Sequence, residues 1–210
     1  MSYLLHIDSS SAGAGSVSRQ VALSFRDAWR GQVVYRDLAA SPVPHITAAG
    51  ITARFTDPAG RDPGQAAAAA IQDELIGEFL GAGAYLFTVP MYNYSMPSVF
   101  KAWLDQIIAV GVTIVPPAAA GRPALVISAR GGGYGPGAPN HGMDHLVPAL
   151  ETALGHPQGG LGLDLTVITP ELTHALIVPA FSELLPLHQA SLADSHEQAR
   201  KLAETFQAAA

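Results

Sequence analysis

The sequence predicts a doubly wound α/β protein built on a five-stranded parallel sheet with helices on both faces. Three observations carry this: short apolar runs lack the alternation of half-exposed strands, amphipathic segments separate them, and serine- or glycine-rich turns follow several of them. With 49% hydrophobic and 13% charged side chains, the 210 residues suffice for one well-cored domain over 1–210 and fall short of two.

Tyr3 to Asp8 reads as a first buried strand, and Ser9 to Ser18 as a loop of small residues. A helix follows with Val17, Val21, Phe25, Ala28 and Trp29 on one face, Ser16 as its N-cap and Gly31 as its stop. Gln32 to Leu38 is a shorter strand that alternates in part, as an edge strand does. Residues 40–64 are rich in Pro, Gly, Thr and Asp without a period, which predicts a long surface excursion. The alanine run 66–70 leads through Ile71, Leu75, Ile76 and Phe79 into a second helix, ended by Gly81 and Gly83. Ala84 to Val89 has the unbroken apolar character of a strand buried on both faces, and Pro90, lacking an N–H, stops it. Pro97 suits the first turn of a third helix, where Val99, Phe100, Trp103, Leu104, Ile107 and Ile108 recur at helical spacing.

Pro116 to Gly121 is a turn-rich connection to a fourth strand, Pro123 to Ser128, which opens into the glycine-rich segment Ala129 to Gly137. His141 to Leu154 is compatible with helix, with Pro148 arguing for a break or a late start. Leu163 to Thr169 is the fifth strand. The final helix runs from about Phe181 or Pro186 to the terminus, turning Leu192, Ala199, Ala203 and Phe206 inward.

Composition removes several function classes. Eleven basic against seventeen acidic residues give a net charge of -6, and no Lys/Arg cluster follows a phosphate backbone, so nucleic acid is not the expected partner. There are no cysteines for disulfides or thiolate metal sites. His141 and His145 lack the HExxH carboxylate, and His188 and His196 fall on a surface helix, so no metal is expected. No apolar run reaches the roughly 18 residues of a membrane span, and the chain enters a strand without a cleavable leader, which makes the cytoplasm the expected location. Asp8-Ser9-Ser10 and Asp194-Ser195-His196 evoke a serine hydrolase, but the late pair sits in an ordinary amphipathic helix and no nucleophile turn or oxyanion donors accompany it.

In the strand order 2-1-3-4-5, the carboxyl ends of the first and third strands meet at the switch point, with the fourth beside them. Three unusual loops converge there. Ser10, Ser16 and Ser18 offer hydroxyls beside backbone N–H groups at a helix start, a recipe for holding an anion without a basic side chain. Each helix-end contact is worth only about 0.3 to 1 kcal/mol, so several donors must act together. The pattern is neither GxGxxG nor GxxxxGK[ST], which leaves a mononucleotide phosphate in preference to a triphosphate. Met91 and Tyr92 form an apolar wall, Asn93 brings a two-way amide and Tyr94 a second aromatic surface, a set that suits an isoalloxazine. Ala129 to Gly133 lets backbone N–H groups approach the polar ring edge. Arg130 either adds positive charge there or is a solvated surface arginine.

The chain resembles the FMN-dependent NADH-azoreductases of the flavodoxin-like quinone reductase superfamily over nearly its whole length. The resemblance rests on Ser9-Ser10 with Ser16-Val17-Ser18, Arg36-Asp37-Leu38-Ala39, Pro90-Met91-Tyr92-Asn93-Tyr94-Ser95-Met96-Pro97, Lys101 to Asp105, Gly111-Val112-Thr113 and Arg130-Gly131-Gly132. It implies that Ser10, Ser16, Val17 and Ser18 hold the FMN phosphate. Met91, Tyr92, Asn93, Tyr94, Ala129, Arg130, Gly131 and Gly132 then frame the ring. Three departures matter, one being that segments 40–64 and 133–140 give little basis for residue-level transfer; the other two bear on the site. Ala129 stands where a serine usually precedes the arginine, with Ser128 one place earlier, and the family's Leu-Gly-Phe-Ile-Gly stretch appears as Leu154-Gly155-His156-Pro157-Gln158-Gly159-Gly160.

The resemblance also implies a ping-pong enzyme: NADH or NADPH gives a hydride to bound FMN, and an azo compound or quinone then takes the electrons in the same pocket. No protein nucleophile is required, because orientation and stacking are the expected contributions. Tyr92, Tyr134 and His156 are possible proton-delivery helpers. A homodimer whose pockets are completed by the partner is implied as well. The rival reading is a flavodoxin-like electron carrier or flavin-binding module. Segments 40–64 and 111–121, suited to covering a site or building an interface, favour the enzyme.

Overall fold

The computed structural model describes residues 3–209. Its strands are β1 (Tyr3–Asp8), β2 (Val33–Asp37), β3 (Ala82–Thr88), β4 (Pro123–Ile127) and β5 (Asp164–Ile168), all parallel in the order β2-β1-β3-β4-β5. Burial follows position. β3, third in the sheet, is buried along nearly its whole length, whereas the edge strands β2 and β5 are only partly covered. That is the physical reason for the unbroken apolar run in β3 and the partial alternation in β2.

Helices α1 (Val17–Ala28) and α6 (Leu185–Ala209) cover one face, packing Val21, Phe25, Ala199, Ala203 and Phe206 against Leu4, Leu86 and Leu125. On the other face lie α3 (Pro63–Gly81) and α4 (Ser98–Ile107), whose Phe79, Phe100 and Trp103 join Tyr85 and Phe87 in an aromatic cluster with ring centroids 4.8 to 6.0 Å apart. Among the described residues, no helix is long and apolar enough to cross a membrane.

Local chemistry explains the helix boundaries. Ser16 caps α1 by accepting the Arg19 amide, and Asp62 and Gln65 form a reciprocal capping box at the start of α3. The stop expected at Gly31 comes earlier: α1 ends at Ala28, and the Trp29 amide closes the last turn onto Phe25 and Arg26. The excursion 40–64 is not structureless. It contains the short helix α2 (Ala48–Ala53), and it is pinned to α3 and α4 by Gln72 Nε2 on Gly50 O (3.2 Å), Arg54 Nη2 on Asp105 O (2.7 Å) and Gln106 Nε2 on Pro44 O (2.8 Å). Its own Arg54 and the side chains of Gln72 and Gln106 on α3 and α4 anchor it where periodicity is silent. Over 141–154, Pro148 delays the helix: only α5 (Val147–Leu150) forms, followed by a wider turn through Glu151–Gly155. The last helix is followed to Ala209, and Ala210 lies outside the described residues.

His6 on β1 is 3% exposed, with Nε2 2.9 Å from Thr88 Oγ1. Burial, helped by the positive charges of Arg26 and Arg19, lowers its pKa to about 3. The imidazole is therefore neutral in the fold, and on unfolding it takes up a proton below its free value of about 6.5. Because the unfolded state then binds more protons, stability falls as pH drops from about 6.5 towards 3, by about 1.4 kcal/mol per pH unit for this group. Urea unfolding of the wild type should consequently lose free energy more steeply between about pH 6 and pH 4 than that of His6→Gln. Parallel curves for the two proteins would show that His6 titrates freely in the fold.

Candidate active site

Parallel strands place all their carboxyl ends on one edge, and the sheet's hydrogen bonding continues past them. Ser9 N–H donates to Thr88 O (3.0 Å), Met91 N–H to Ala129 O (2.9 Å) and Arg130 N–H to Pro170 O (2.9 Å), so the loops after β1, β3, β4 and β5 are fixed to one another by main chain. A cleft of about 420 Å³ opens between them. That volume lies within the roughly 300 to 1,000 Å³ of small-molecule sites.

Eight of the twelve residues expected to hold the cofactor line this cleft: Ser10, Ser16, Val17, Ser18, Met91, Tyr92, Ala129 and Gly131. At its α1 end the Ser16 side chain takes the Arg19 amide (3.1 Å) and the Ser16 carbonyl the Gln20 amide (3.1 Å). The Val17 and Ser18 amides are those the helix itself cannot use. Ser18 Oγ ties two loops together by accepting the Ala129 amide (3.0 Å). Tyr92 crosses towards the first loop, its hydroxyl accepting the Ser11 amide (3.0 Å). No lysine or arginine lines the cleft.

The other four expected residues stand elsewhere. Asn93 lines a neighbouring hollow with Met96 and Lys101, sharing Tyr92 with the cleft, and Tyr94 is half exposed. Asn93 and Tyr94 both have left-handed backbone, φ 49° and 67°, which turns the chain sharply and lets the Tyr92 and Ser95 peptides pair at 2.9 and 3.0 Å. Gly132 lies against the Asn140 amide. Arg130 is not a solvated surface arginine: it is buried, with Nη1 2.6 Å from Asp144 Oδ2 and Nε 3.3 Å from Glu171 Oε1. Its charge is engaged behind the third loop.

Of the expected helpers, Tyr92 is in the cleft. Tyr134 sits over the Arg130 guanidinium at 5.4 Å, and burial raises its pKa. His156 is exposed on a turn, where Nδ1 accepts the Gln158 and Gly159 amides (3.2 and 2.9 Å), away from the cleft. Ser128 does not take the place left by Ala129. Its hydroxyl is buried and its residue is absent from the cleft wall.

Sequence reasoning missed the fourth loop. Thr173, His174, Leu176 and Ile177, after β5, complete the wall, and the His174 ring stacks on Phe181 with centroids 6.2 Å apart. The usable signal was position alone, since a loop at the carboxyl end of the strand beside β4 must approach the same edge. Reasoning also missed the charged network under the first loop, where Asp8 is fully buried and Arg19 bridges it to Asp37. Burial acts most strongly on the Asp8 carboxyl and raises its pKa, against the Ser10 amide, the Tyr35 hydroxyl and Arg19. Among the described residues, no three His, Asp or Glu side chains gather in a metal-binding group.

Comparison with known proteins gives the context. A family model described as flavodoxin-like fold matches residues 2–158. The chain is 48% identical to the FMN-dependent NADH:quinone oxidoreductase of Streptomyces avermitilis, over 99% of this chain and 100% of that one. The chain belongs to the family of FMN-dependent NADH:quinone oxidoreductases. A family member from Streptomyces coelicolor is 47% identical over 95% of this chain and 92% of its own. The azoreductase of Bacillus anthracis, solved as a crystal structure, shares the fold at a TM-score of 0.80 with 22% identity, covering 98% of this chain and 100% of that chain. For this quinone oxidoreductase family member the strand order and the flavodoxin-like fold expected from sequence are both found.

The fourth loop leads to a direct test. A Cβ added to Gly131 would collide with the His174 imidazole. Overpacking of this kind costs about 1 to 3 kcal/mol, or a few degrees of thermal midpoint in a chain of this size. Gly131→Ala should therefore unfold at lower temperature, and adding His174→Ala should restore most of the loss. Equal midpoints for wild type and Gly131→Ala would show that the ring swings aside freely.

Proposed function

We propose that the chain acts as one FMN-binding domain that oxidises NADH and reduces quinones, with azo compounds as further acceptors, and that the 420 Å³ cleft holds the FMN. The observation that carries the reading is the composition of this cleft. Helix-start amides stand at one end, with an apolar and aromatic wall beside them and Gly131 in the third loop, where the His174 imidazole takes the space a side chain would need. These residues fit a flavin phosphate and ring. Val17 and Ser18 amides with Ser10 and Ser16 would hold the phosphate, and the absence of a basic side chain is compatible with that because the helix start supplies the positive field. Pro90, Met91 and Tyr92 would lie along the ring, with Asn93, Tyr94, Arg130 and Gly132 supporting these loops from outside the wall. Leu176 and Ile177 would exclude water from the open side.

When bound, FMN supplies two-electron redox chemistry between a reduced nicotinamide and the acceptor. The protein's own task is orientation. The shared main-chain hydrogen bonds hold the Met91 and Ala129 walls at fixed separation, which is the condition for efficient transfer between stacked partners. Tyr92, which lines the cleft and accepts the Ser11 amide on its hydroxyl, is the helper best placed to hold a proton near the acceptor.

A homodimer completes the reading. A second hollow of about 750 Å³, lined by Ile51, Phe55, Ile76, Val110 and Val112, opens between the 40–64 excursion, α3 and the segment after α4. Phe55 is 85% and Val110 72% exposed, side chains that a second copy would cover.

Purified protein should be yellow or take up added FMN, and should oxidise NADH only when a quinone or azo dye is present, with parallel double-reciprocal plots. A preparation that stays colourless with added FMN sinks the proposal. Bound FMN without acceptor-dependent NADH oxidation would make the chain an electron carrier. In sedimentation equilibrium the wild type should be dimeric and Phe55→Asp monomeric, and a Phe55→Asp dimer would place the interface elsewhere.

A further inference from the structure

The charged network beneath the first cleft loop has no part in the reading above, and it is built around the Ser10 peptide. Arg19 is the third residue of α1, and its amide is held by Ser16 Oγ (3.1 Å). Its Nη2 donates to Ser10 O (2.9 Å) and to Asp37 Oδ2 (2.8 Å), and its Nε lies 2.6 Å from Asp8 Oδ2. Asp8 in turn accepts the Ser10 amide on Oδ1 (2.9 Å) and the Tyr35 hydroxyl on Oδ2 (3.0 Å). Asp37 is anchored separately, its Oδ1 accepting the Ala39 and Ala40 amides (2.9 and 3.0 Å). Ser10 is thus gripped at its N–H by Asp8 and at its C=O by Arg19. The amide end of that same peptide plane, Ser11 N–H, reaches Tyr92 at the cleft wall (3.0 Å).

We propose that Arg19 is a positioning residue that holds the Ser10 turn against the α1 N-terminus, and that it thereby makes the cleft select a phosphorylated flavin over its dephosphorylated form. This rests on the FMN reading of the cleft.

Three physical points lead there. Arg19 does not line the cleft, so it acts through the Ser10 peptide and not by touching the phosphate. Its planar fork spans oxygens from the ends of β1 and β2 and from the loop, a geometry the single ammonium of lysine does not reproduce. Without its charge, two carboxylates, one fully buried, would stand behind an anion site with no cation between them. Loss of the clamp therefore weakens the subsite for the phosphate, while the wall for the ring, built from β3 and β4 loops, stays in place.

The test is flavin selectivity. FMN and riboflavin are titrated into flavin-stripped wild type, Arg19→Met and Arg19→Lys, following quenching of flavin fluorescence, with far-ultraviolet circular dichroism confirming that each protein is folded. The wild type should prefer FMN strongly. Arg19→Met should bind FMN about 10- to 100-fold more weakly, the loss expected for a charge-assisted hydrogen bond, with riboflavin affinity changed by less than about 2-fold. Arg19→Lys should lose most of the same preference, and it carries the test if Arg19→Met does not fold. A wild-type FMN-to-riboflavin ratio in a folded variant overturns the proposal, as does an equal loss of both ligands, which is what a merely structural arginine would give. A wild type that binds neither flavin overturns the functional reading itself, and the clamp with it.

Discussion

The structure depends first on a parallel hydrogen-bond ladder that runs beyond its strands. In a parallel sheet every carboxyl end faces the same edge, and here the main chain keeps pairing after β1, β3 and β4 have ended, at Ser9, Met91 and Arg130. Loops that would otherwise be free to drift are extensions of the sheet. The walls of the cleft are accordingly rigid at their bases, and they leave the ladder through left-handed backbone at Gly13, Asn93-Tyr94, Gly137, Gly142 and Leu172. A site that works by holding flat partners in register needs this kind of frame.

Above that frame, two arginines perform matching tasks. Arg19 lies between Asp8 and Asp37 behind the first loop, and Arg130 between Asp144 and Glu171 behind the third. Neither guanidinium lines the cleft, and each ties residues that are distant in sequence. Partly buried ion pairs add little net stability, because desolvation offsets much of the Coulomb gain, but breaking one partner away leaves a charge stranded. Their effect is to fix loop geometry. The same distribution of charge keeps lysine and arginine out of the cleft wall, where the α1 amides stand at one end.

Much of the architecture is legible in the chain because burial writes itself into residue choice. β1 and β3 are apolar without alternation since both faces are covered, β2 is mixed since it is an edge, and Ser16 and Pro97 mark helix starts by the backbone groups they satisfy or lack. The excursion 40–64 was opaque. Its order comes from Arg54, Gln72 and Gln106 reaching across to main-chain oxygens of other elements, and such contacts leave no periodic trace. His174 was opaque for a similar reason: it enters the cleft because β5 lies beside β4, and no local motif announces it.

The sequence by itself determined the five strands and the serine, PMYNY and glycine loops, because these rest on local propensity and apolar patterning, while the strand order followed from the family resemblance. Tertiary structure alone decided how those loops divide the work. It turned Arg130 inward to two carboxylates, moved Asn93 to an adjoining hollow, left Tyr94 half exposed and His156 on an exposed turn, and brought the β5 loop into the wall. A side chain's direction is set by the partners that surround it, and for all of these residues the decisive partners lie on other elements of the fold.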